Sequence, residues 1–153
     1  MKLNKDIEVI AYLPEHAREI LVRPGDLHVK QNEEFIKWTE LNSKGGAFTG
    51  RRISDGKILA CAGIRILWPG VGEAWAIFCD EVGSYAFEAY AYIATYALQI
   101  INDFNLKRIQ CFVQADNALY VKYLENLGFR REGLLRKFGR NGEDHYIYAI
   151  ILE

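Results

Sequence analysis

Hydrophobic and polar positions repeat with two periods along the chain, and these periods predict the elements of the fold. Strand-like runs cover 6–12, 47–53, 57–67, 72–80, 108–114, 129–138 and 145–152. Helical periodicity covers 14–21, 31–42, 85–103 and 117–127. The resulting order is strand, two helices, three strands, helix, strand, helix and two strands. Such interleaving predicts a mixed sheet with helices on its faces.

Turn-forming residues separate these elements. An Asp-Gly pair at 55–56 lies between two strand-like runs and predicts a hairpin, as does the Asn-Gly pair at 141–142. Further turns are predicted at 22–26 and at 69–72. Gly128 is expected to end the last helix, because glycine adopts the left-handed conformation of a helix C-terminus without strain.

Length and composition are those of an ordinary globular protein. The 153 residues suit a single domain spanning 1–153, with 50% hydrophobic and 25% charged residues. The net charge of −1 supplies no overall basic field to attract nucleic acid or an anionic membrane. The sequence shows neither a signal-peptide pattern nor a membrane-spanning run, so a cytoplasmic protein is expected.

The cysteines and histidines do not form a metal-binding pattern. The three cysteines are Cys61, Cys79 and Cys111. They lie in apolar runs without a CxxC pair, and we expect reduced thiols in the core. The histidines His16, His28 and His145 are scattered, so no metal site is predicted.

The C-terminal residues 114–152 resemble the corresponding half of GNAT N-acetyltransferases. The resemblance lies in Asn117 at a helix start, Gly128-Phe129 after that helix, Glu132-Gly133 and the final hairpin. It implies the GNAT acyltransferase fold, with a mixed, mostly antiparallel sheet of six or seven strands and about four helices. The fourth and fifth strands should be parallel neighbours, because the helix at 85–103 is long enough for the crossover. The implied activity transfers an acetyl group from acetyl-CoA to an amine of a small molecule or protein.

The resemblance also implies a cofactor site. The backbone of the fourth strand would polarise the thioester carbonyl, and the start of the following helix would hold the pyrophosphate. The implied residues are Ile77, Phe78, Cys79, Val82, Gly83, Ser84 and, for the pantetheine arm, Asn117. The family signature Arg/Gln-x-x-Gly-x-Gly/Ala is absent, because Gly83 is the only glycine between 79 and 90.

Charges around this segment allow two interpretations. Asp80, Glu81 and Glu88 are expected to repel phosphate and weaken CoA binding, or else the first two cap the helix start. No Lys, Arg or His lies between 66 and 106. Arg51 and Arg52 would supply basic contacts from an adjacent strand, or would form a solvated strand face together with Arg65.

The catalytic candidates follow from the same resemblance. Glu73 would be the general base, and strand alternation puts Trp75 on its face; the alternative is a solvated carboxylate. Leu124 stands where many family members have the tyrosine that protonates the leaving thiolate. Tyr120 and Tyr123 would replace that tyrosine, or they are packing aromatics.

One surface hypothesis and a second function remain open. The long helix carries a stripe of three tyrosines, Tyr85, Tyr92 and Tyr96. This stripe would be an interface for an oligomer or a partner. The alternative is that the N-terminal helices cover it. The degenerate loop is also similar to that of phage-encoded GNAT-like proteins, some of them virion-associated. A catalytically inactive structural or binding module is therefore the alternative to an enzyme.

Overall fold

The computed structural model of the chain describes residues 3–20 and 33–153. The strands are β1 (Ile7–Ala11), β2 (Gly45–Arg52), β3 (Ile58–Trp68), β4 (Val71–Phe78), β5 (Arg108–Gln114), β6 (Arg130–Leu135) and β7 (His145–Ile151). The helices are α1 (Pro14–Ile20), α2 (Glu33–Leu41), α3 (Ala86–Asp103) and α4 (Ala118–Asn126), with a 3₁₀ helix (Val82–Tyr85) leading into α3. The predicted turn at 22–26, the first two residues of the predicted helix 31–42 and His28 lie outside the described residues.

The strands pair in the order β1-β2-β3-β4-β5-β7-β6, which makes a seven-stranded sheet within the described ranges. The β1–β2, β2–β3, β5–β7 and β6–β7 pairs are antiparallel. β4 and β5 are parallel and α3 connects them, as predicted. The predicted fold class, a mixed and mostly antiparallel sheet with four helices, is thereby confirmed for residues 3–20 and 33–153. The turn predicted at 69–72 is shorter, because β4 already begins at Val71.

The chain divides into two compact units, of which unit 1 comprises Met1–Arg65 and Trp75–Asp103. Its hydrophobic core draws residues from β1, α1, β3 and the end of β4. The buried members are Ile7, Tyr12, Ala17, Ile20, Ile58, Leu59, Cys61 and Cys79. The Asp55-Gly56 turn joins β2 to β3 with Gly56 at φ 73°, so the predicted hairpin is confirmed.

Two glycines in unit 1 allow close approach of backbone and helix. A Cβ added at Gly46 would lie 2.3 Å from Cγ1 of Ile100 on α3, and one added at Gly63 would lie 2.3 Å from the Gly46 carbonyl oxygen. No side chain fits at either distance. The seating of α3 on β2 therefore depends on glycine at position 46, and the β2–β3 contact depends on glycine at position 63.

The three tyrosines of the α3 stripe also pack inside unit 1, which favours the covered alternative over an interface. Tyr85 and Tyr92 are partly buried against the core and line an apolar crevice together with residues of β1 to β3. Tyr96 stacks on Phe48 of β2, with ring centroids 5.0 Å apart. Strands therefore cover this face of α3. By contrast Tyr90 of α3 is 38% exposed.

Unit 2 comprises Ile66–Ala74 and Phe104–Glu153. Alternate residues of β5 point into its core, where Ile109, Cys111 and Val113 are buried beside the fully buried Tyr148 of β7. Gly128 follows α4 at φ 100°, and the Phe129 N–H donates to the Leu124 carbonyl, so the predicted helix end is confirmed. The second predicted hairpin is also present, joining β6 to β7 through residues 136–144.

Candidate active site

Glu73 lies on β4 where the parallel ladder with β5 ends. The ladder joins three residue pairs, and Glu73 faces Gln110 in the last of them. Glu73 is half-buried, and its charge acts on the core of unit 2. Burial first, and the negative charge of Glu73 second, raise the pKa of the Cys111 thiol to about 12. The structure thus places this carboxylate near the β5 core, and its role as general base stays a prediction.

Asn117 has a structural function that the sequence analysis did not assign to it. Its side-chain oxygen accepts a hydrogen bond from the Tyr120 N–H at 3.2 Å, which makes Asn117 the N-cap of α4. Asparagine is among the preferred N-cap residues, since its side chain satisfies an otherwise unpaired amide of the first turn. The cap uses only the side-chain oxygen of Asn117. The NH₂ group on the same carbon takes no part in this bond and could donate to a ligand.

The two candidate acids differ in exposure. Tyr120, in the first turn of α4, is 41% exposed. Tyr123, one turn further, is half-buried and its hydroxyl oxygen is shielded from solvent. Both tyrosines lie in unit 2 with Glu73 and Asn117. Tyr120 therefore has the more accessible hydroxyl for proton transfer to a ligand.

In unit 1, the carboxylates before α3 are held by cations of the β2–β3 hairpin. Arg52 Nη1 lies 2.7 Å from Glu81 Oε2, and Lys57 Nζ lies 3.0 Å from Glu81 Oε1. Lys57 also contacts Asp80 at 3.2 Å. Arg52 further binds Asp55 of the hairpin turn at 2.6 Å. The two acids at the helix entrance are thus paired with cations within the unit, and with Asp55 the network of two cations and three acids has a net charge of −1.

These contacts shift the charged groups toward their ionised forms. Hydrogen bonds from Arg52, then from Lys57, lower the pKa of Glu81. The bond from Arg52 lowers the pKa of Asp55 to about 2. The pKa of Lys57 is raised, chiefly by its bond to Glu81. All four groups are charged at neutral pH, and the network persists over a wide pH range.

The pairing corrects the capping interpretation for Glu81 and lessens the negative charge that the other interpretation sets against a phosphate. Glu81 occupies the N-cap position of the 3₁₀ helix, but its side chain makes no capping hydrogen bond, because it is turned to Arg52 and Lys57. Gly83 and Ser84 are exposed at this entrance. Arg51 forms an ion pair with Glu8 of β1, and the side chains of both residues remain partly exposed.

The end of β4 offers fewer free amides than expected. The Cys79 N–H donates to the Leu59 carbonyl at 2.8 Å, so it is not available to polarise a ligand carbonyl. The side chains of Trp75 and Ile77 pack on the core of unit 1. Trp75 contacts Tyr12 and Trp38 edge-on, with centroids 5.1 and 5.5 Å away. This aromatic packing fixes the strand that carries the candidate amides of Ile77 and Phe78.

All three cysteines are free and buried, as predicted. Within residues 3–20 and 33–153, no group of three His, Cys, Asp or Glu side chains is arranged to hold a metal ion. In the same ranges, no helix combines the length and hydropathy that a bilayer crossing requires.

Comparison with solved structures identifies the fold. The ribosomal-protein-S5-alanine acetyltransferase from Vibrio fischeri aligns with a TM-score of 0.74 and 17% identity, covering 98% of this chain and 95% of the other. Ard1 from Thermoplasma volcanium aligns with a TM-score of 0.77 and 9% identity, covering 97% and 99%. A variant of the spermidine N-acetyltransferase SpeG from Vibrio cholerae aligns at 0.69 with 16% identity, covering 97% and 95%. No protein-family model and no curated protein sequence matches the chain.

Proposed function

We propose that this chain, which has the fold of the GNAT acetyltransferases, transfers the acetyl group of acetyl-CoA to an amine. The observation that carries the proposal is the pairing of the acids at the entrance of α3 with cations. Without their partners, Asp80 and Glu81 would repel a pyrophosphate at this point. Lys57 contacts both carboxylates and Arg52 contacts Glu81, so these cations reduce that repulsion.

The cofactor would be bound mainly by backbone groups. The helical segment that continues into α3 begins at Val82, Gly83 and Ser84, where the helix dipole favours an anion. The Val82 N–H already donates to the Cys79 carbonyl at 3.2 Å and the Ser84 N–H to the Glu81 carbonyl at 3.0 Å, so the amide of Gly83 is the candidate for a phosphate contact. Gly83 is exposed, and its lack of a side chain leaves open space beside this amide. The NH₂ group of Asn117 would bind a carbonyl of the pantetheine arm.

The chemistry needs a base, a polarised carbonyl and an acid. Glu73 would accept the proton of the amine as its nitrogen attacks the thioester carbonyl. Amides of Ile77 and Phe78 would stabilise the oxyanion of the tetrahedral intermediate. When the C–S bond breaks, the thiolate of CoA leaves and takes a proton from Tyr120 or Tyr123, of which Tyr120 is the more exposed.

The cofactor site is tested by calorimetric titration with acetyl-CoA. We expect micromolar affinity for the wild type, and affinity at least about tenfold weaker for Arg52→Gln, because that change leaves Glu81 to oppose the phosphates with only Lys57 beside it. Arg51→Gln is the matched control, since the neighbouring arginine pairs with Glu8 instead. The double variant Arg52→Gln/Glu81→Gln should recover most of the affinity, because it removes the exposed charge.

A catalytically inactive binding module is the second candidate function. It is favoured by Leu124, which stands at the position of the family's proton-donating tyrosine, and by the single glycine in residues 79–90. Absence of acetyl-CoA binding in the wild type at millimolar concentration would establish this alternative over the enzyme. Binding without release of free CoA thiol in the presence of mixed amine acceptors would favour a cofactor-binding module.

A further inference from the structure

His16 of α1 connects the start of that helix to a threonine and a cysteine in the core. Its Nδ1 atom accepts the Leu13 N–H at 3.2 Å and lies 2.9 Å from the hydroxyl oxygen of Thr49 on β2. The same hydroxyl lies 3.5 Å from the sulfur of Cys61 on β3. Thr49 and Cys61 are fully buried, and His16 is half-buried. The three side chains thus form a hydrogen-bonded chain from the helix into unit 1.

The backbone amide of Leu13 decides where the protons of this chain lie. A peptide N–H can only donate, so Nδ1 of His16 is the acceptor and carries no proton. The Thr49 hydroxyl then donates to Nδ1, and the Cys61 thiol donates to the Thr49 oxygen. Burial raises the pKa of this thiol to about 12, so the thiol keeps its proton at neutral pH. One state satisfies every bond, the neutral imidazole with its proton on Nε2.

The same histidine fastens the first turn of α1. The helix begins at Pro14, so Leu13 precedes its first residue and His16 is its third. The His16 N–H donates to the Leu13 carbonyl at 2.9 Å, and the Leu13 N–H donates back to the His16 ring. A reciprocal pair of this kind stabilises a helix start, as a capping box does. A proton on Nδ1 would break the second bond, because two N–H groups would then face each other.

Both charge and burial act on this ring. Among the residues that the structure describes, the titratable groups that act on it directly or through Thr49 are Glu15 and Glu19 of α1, Arg51 of β2 and Cys61 of β3. Burial lowers the pKa of His16 and outweighs the two glutamates, which raise it. Arg51 lowers it further, although Arg51 is itself paired with Glu8 of β1. The surroundings therefore favour the neutral ring that the hydrogen bonds require.

We propose that Leu13, His16 and Thr49 form an acid-sensitive latch, the α1 latch, which releases the start of α1 when the His16 ring is protonated. Protonation converts Nδ1 from an acceptor to a donor. The Thr49 hydroxyl can turn to accept from it, whereas the Leu13 amide cannot and loses its partner. Acid thus removes one of the two bonds that hold the helix start.

The α1 latch adjoins the aromatic packing of the candidate site in unit 1. Tyr12 directly precedes Leu13, and its ring contacts Trp75 of β4 with centroids 5.1 Å apart. The Tyr12 hydroxyl also donates to the Thr39 carbonyl of α2 at 2.8 Å. Opening of the helix start would therefore loosen the packing around β4, beyond any effect on the proposed chemistry.

The pH dependence has a definite sign. The pKa of His16 is lower in the folded protein than its ordinary value near 6.5, so the unfolded chain binds the proton more readily. The stabilisation is complete about one pH unit above that ordinary value and is lost as pH falls through it toward the lower folded pKa. One such proton raises the unfolding equilibrium constant by at most about tenfold per pH unit.

Urea unfolding between about pH 7.5 and pH 5 tests the α1 latch in wild type, His16→Asn and His145→Asn. Asparagine places Oδ1 close to the position of Nδ1, accepts the same hydrogen bonds and does not titrate. Over this range the unfolding equilibrium constant of wild type should rise about threefold or more relative to that of His16→Asn. Equal pH dependence in these two proteins would overturn the inference.

His145 provides the matched control. Its Nδ1 lies 3.4 Å from the Glu143 carbonyl, which only accepts, so this contact holds whether the ring is neutral or protonated. His145→Asn should therefore retain the pH dependence of wild type. If His145→Asn removes that dependence and His16→Asn does not, the inference is wrong.

Amide hydrogen exchange separates a local latch from a change in overall stability. At about pH 5.5, where a ring with an ordinary pKa is mostly protonated, peptides covering 12–20 should exchange faster in wild type than in His16→Asn, and peptides from β5 and β7 should not differ. Equal exchange of 12–20 in both proteins, or equal acceleration of all these peptides, would contradict a local release.

An NMR titration of the wild type needs no variant. The amide signal of Leu13 should shift with the same midpoint as the His16 ring, and that midpoint should lie below the ordinary value near 6.5. A higher midpoint, or a Leu13 signal that does not follow the ring, would refute the α1 latch even if the variants fail to fold.

Discussion

Asn117 combines a capping role with a proposed ligand contact, and two substitutions separate these roles. Asn117→Ala removes both the side-chain oxygen, which accepts the Tyr120 N–H at 3.2 Å, and the NH₂ group. Asn117→Asp retains an oxygen in the capping position and replaces the NH₂ donor with a second acceptor. The two variants should therefore differ in stability and agree in their loss of ligand binding.

The magnitude follows from the geometry of the cap. Loss of an Asn cap to alanine costs about 1 kcal/mol, and an aspartate restores that stability because its charge also suits the helix N-terminus. For a chain of 153 residues, about 1 kcal/mol corresponds to a fall in Tm of roughly 2–4 °C. Asn117→Asp should unfold within about 1 °C of the wild type by the same conversion.

Two measurements on the same samples test this reasoning. Thermal unfolding followed by circular dichroism gives the stability of each variant, and calorimetry gives its affinity for acetyl-CoA. A wild-type Tm for Asn117→Ala would show that the cap contributes nothing to stability. Wild-type affinity in Asn117→Asp would show that the NH₂ group does not bind the pantetheine arm, and the site proposal would lose this residue.

Three further predictions concern the rest of the fold. The folded pKa of Asp55 is about 2, below its ordinary value near 3.8. Its bond to Arg52 therefore stabilises the protein at neutral pH, and this stabilisation is lost as pH falls from about 4 toward 2. The difference in urea midpoint between wild type and Arg52→Gln should shrink over that pH range. Gly63→Ala should destabilise the fold by about 3 kcal/mol in urea titrations, because the new Cβ would lie 2.3 Å from a backbone oxygen. Gly50→Ala is the control: the atom nearest to its Cβ is 4.0 Å away, so stability should change by less than about 0.5 kcal/mol. Burial raises the pKa of the Cys61 thiol to about 12, so a disulfide reagent at pH 8 should label it only after unfolding; rapid labelling of the native protein would contradict its burial.

The fold followed from the sequence because its main signals are local. The hairpin turns consist of residues whose backbone preferences decide the turn, and Gly56 and Gly142 adopt the expected positive φ. The parallel pairing of β4 with β5 followed from the length of the intervening helix. The sequence left the α3 stripe open between an interface and a covered face, because a tyrosine ring is apolar enough to pack on a sheet and polar enough to lie at a surface.

The site was less predictable, because its key contacts join residues distant in sequence. Arg52 and Glu81 are 29 positions apart, and nothing in the local pattern indicates that the hairpin reaches the α3 entrance. One signal was available: Arg52 and Lys57 flank the Asp55-Gly56 turn, so a hairpin there brings two cations together. Acids are the natural partners of such a pair, and the window that contains Asp80 and Glu81 and no cation offers them.

Lys137, in the connection between β6 and β7, has a backbone conformation that limits the stability of the fold. Its backbone has φ 55°, a left-handed conformation that disfavours every residue with a side chain relative to glycine by about 1 kcal/mol. Lys137→Gly should therefore raise the free energy of unfolding by roughly that amount while it removes a cation from the loop. A laboratory selection for heat resistance should converge on glycine at this position. Sequencing the survivors of that selection would show whether the left-handed backbone at position 137 limits stability.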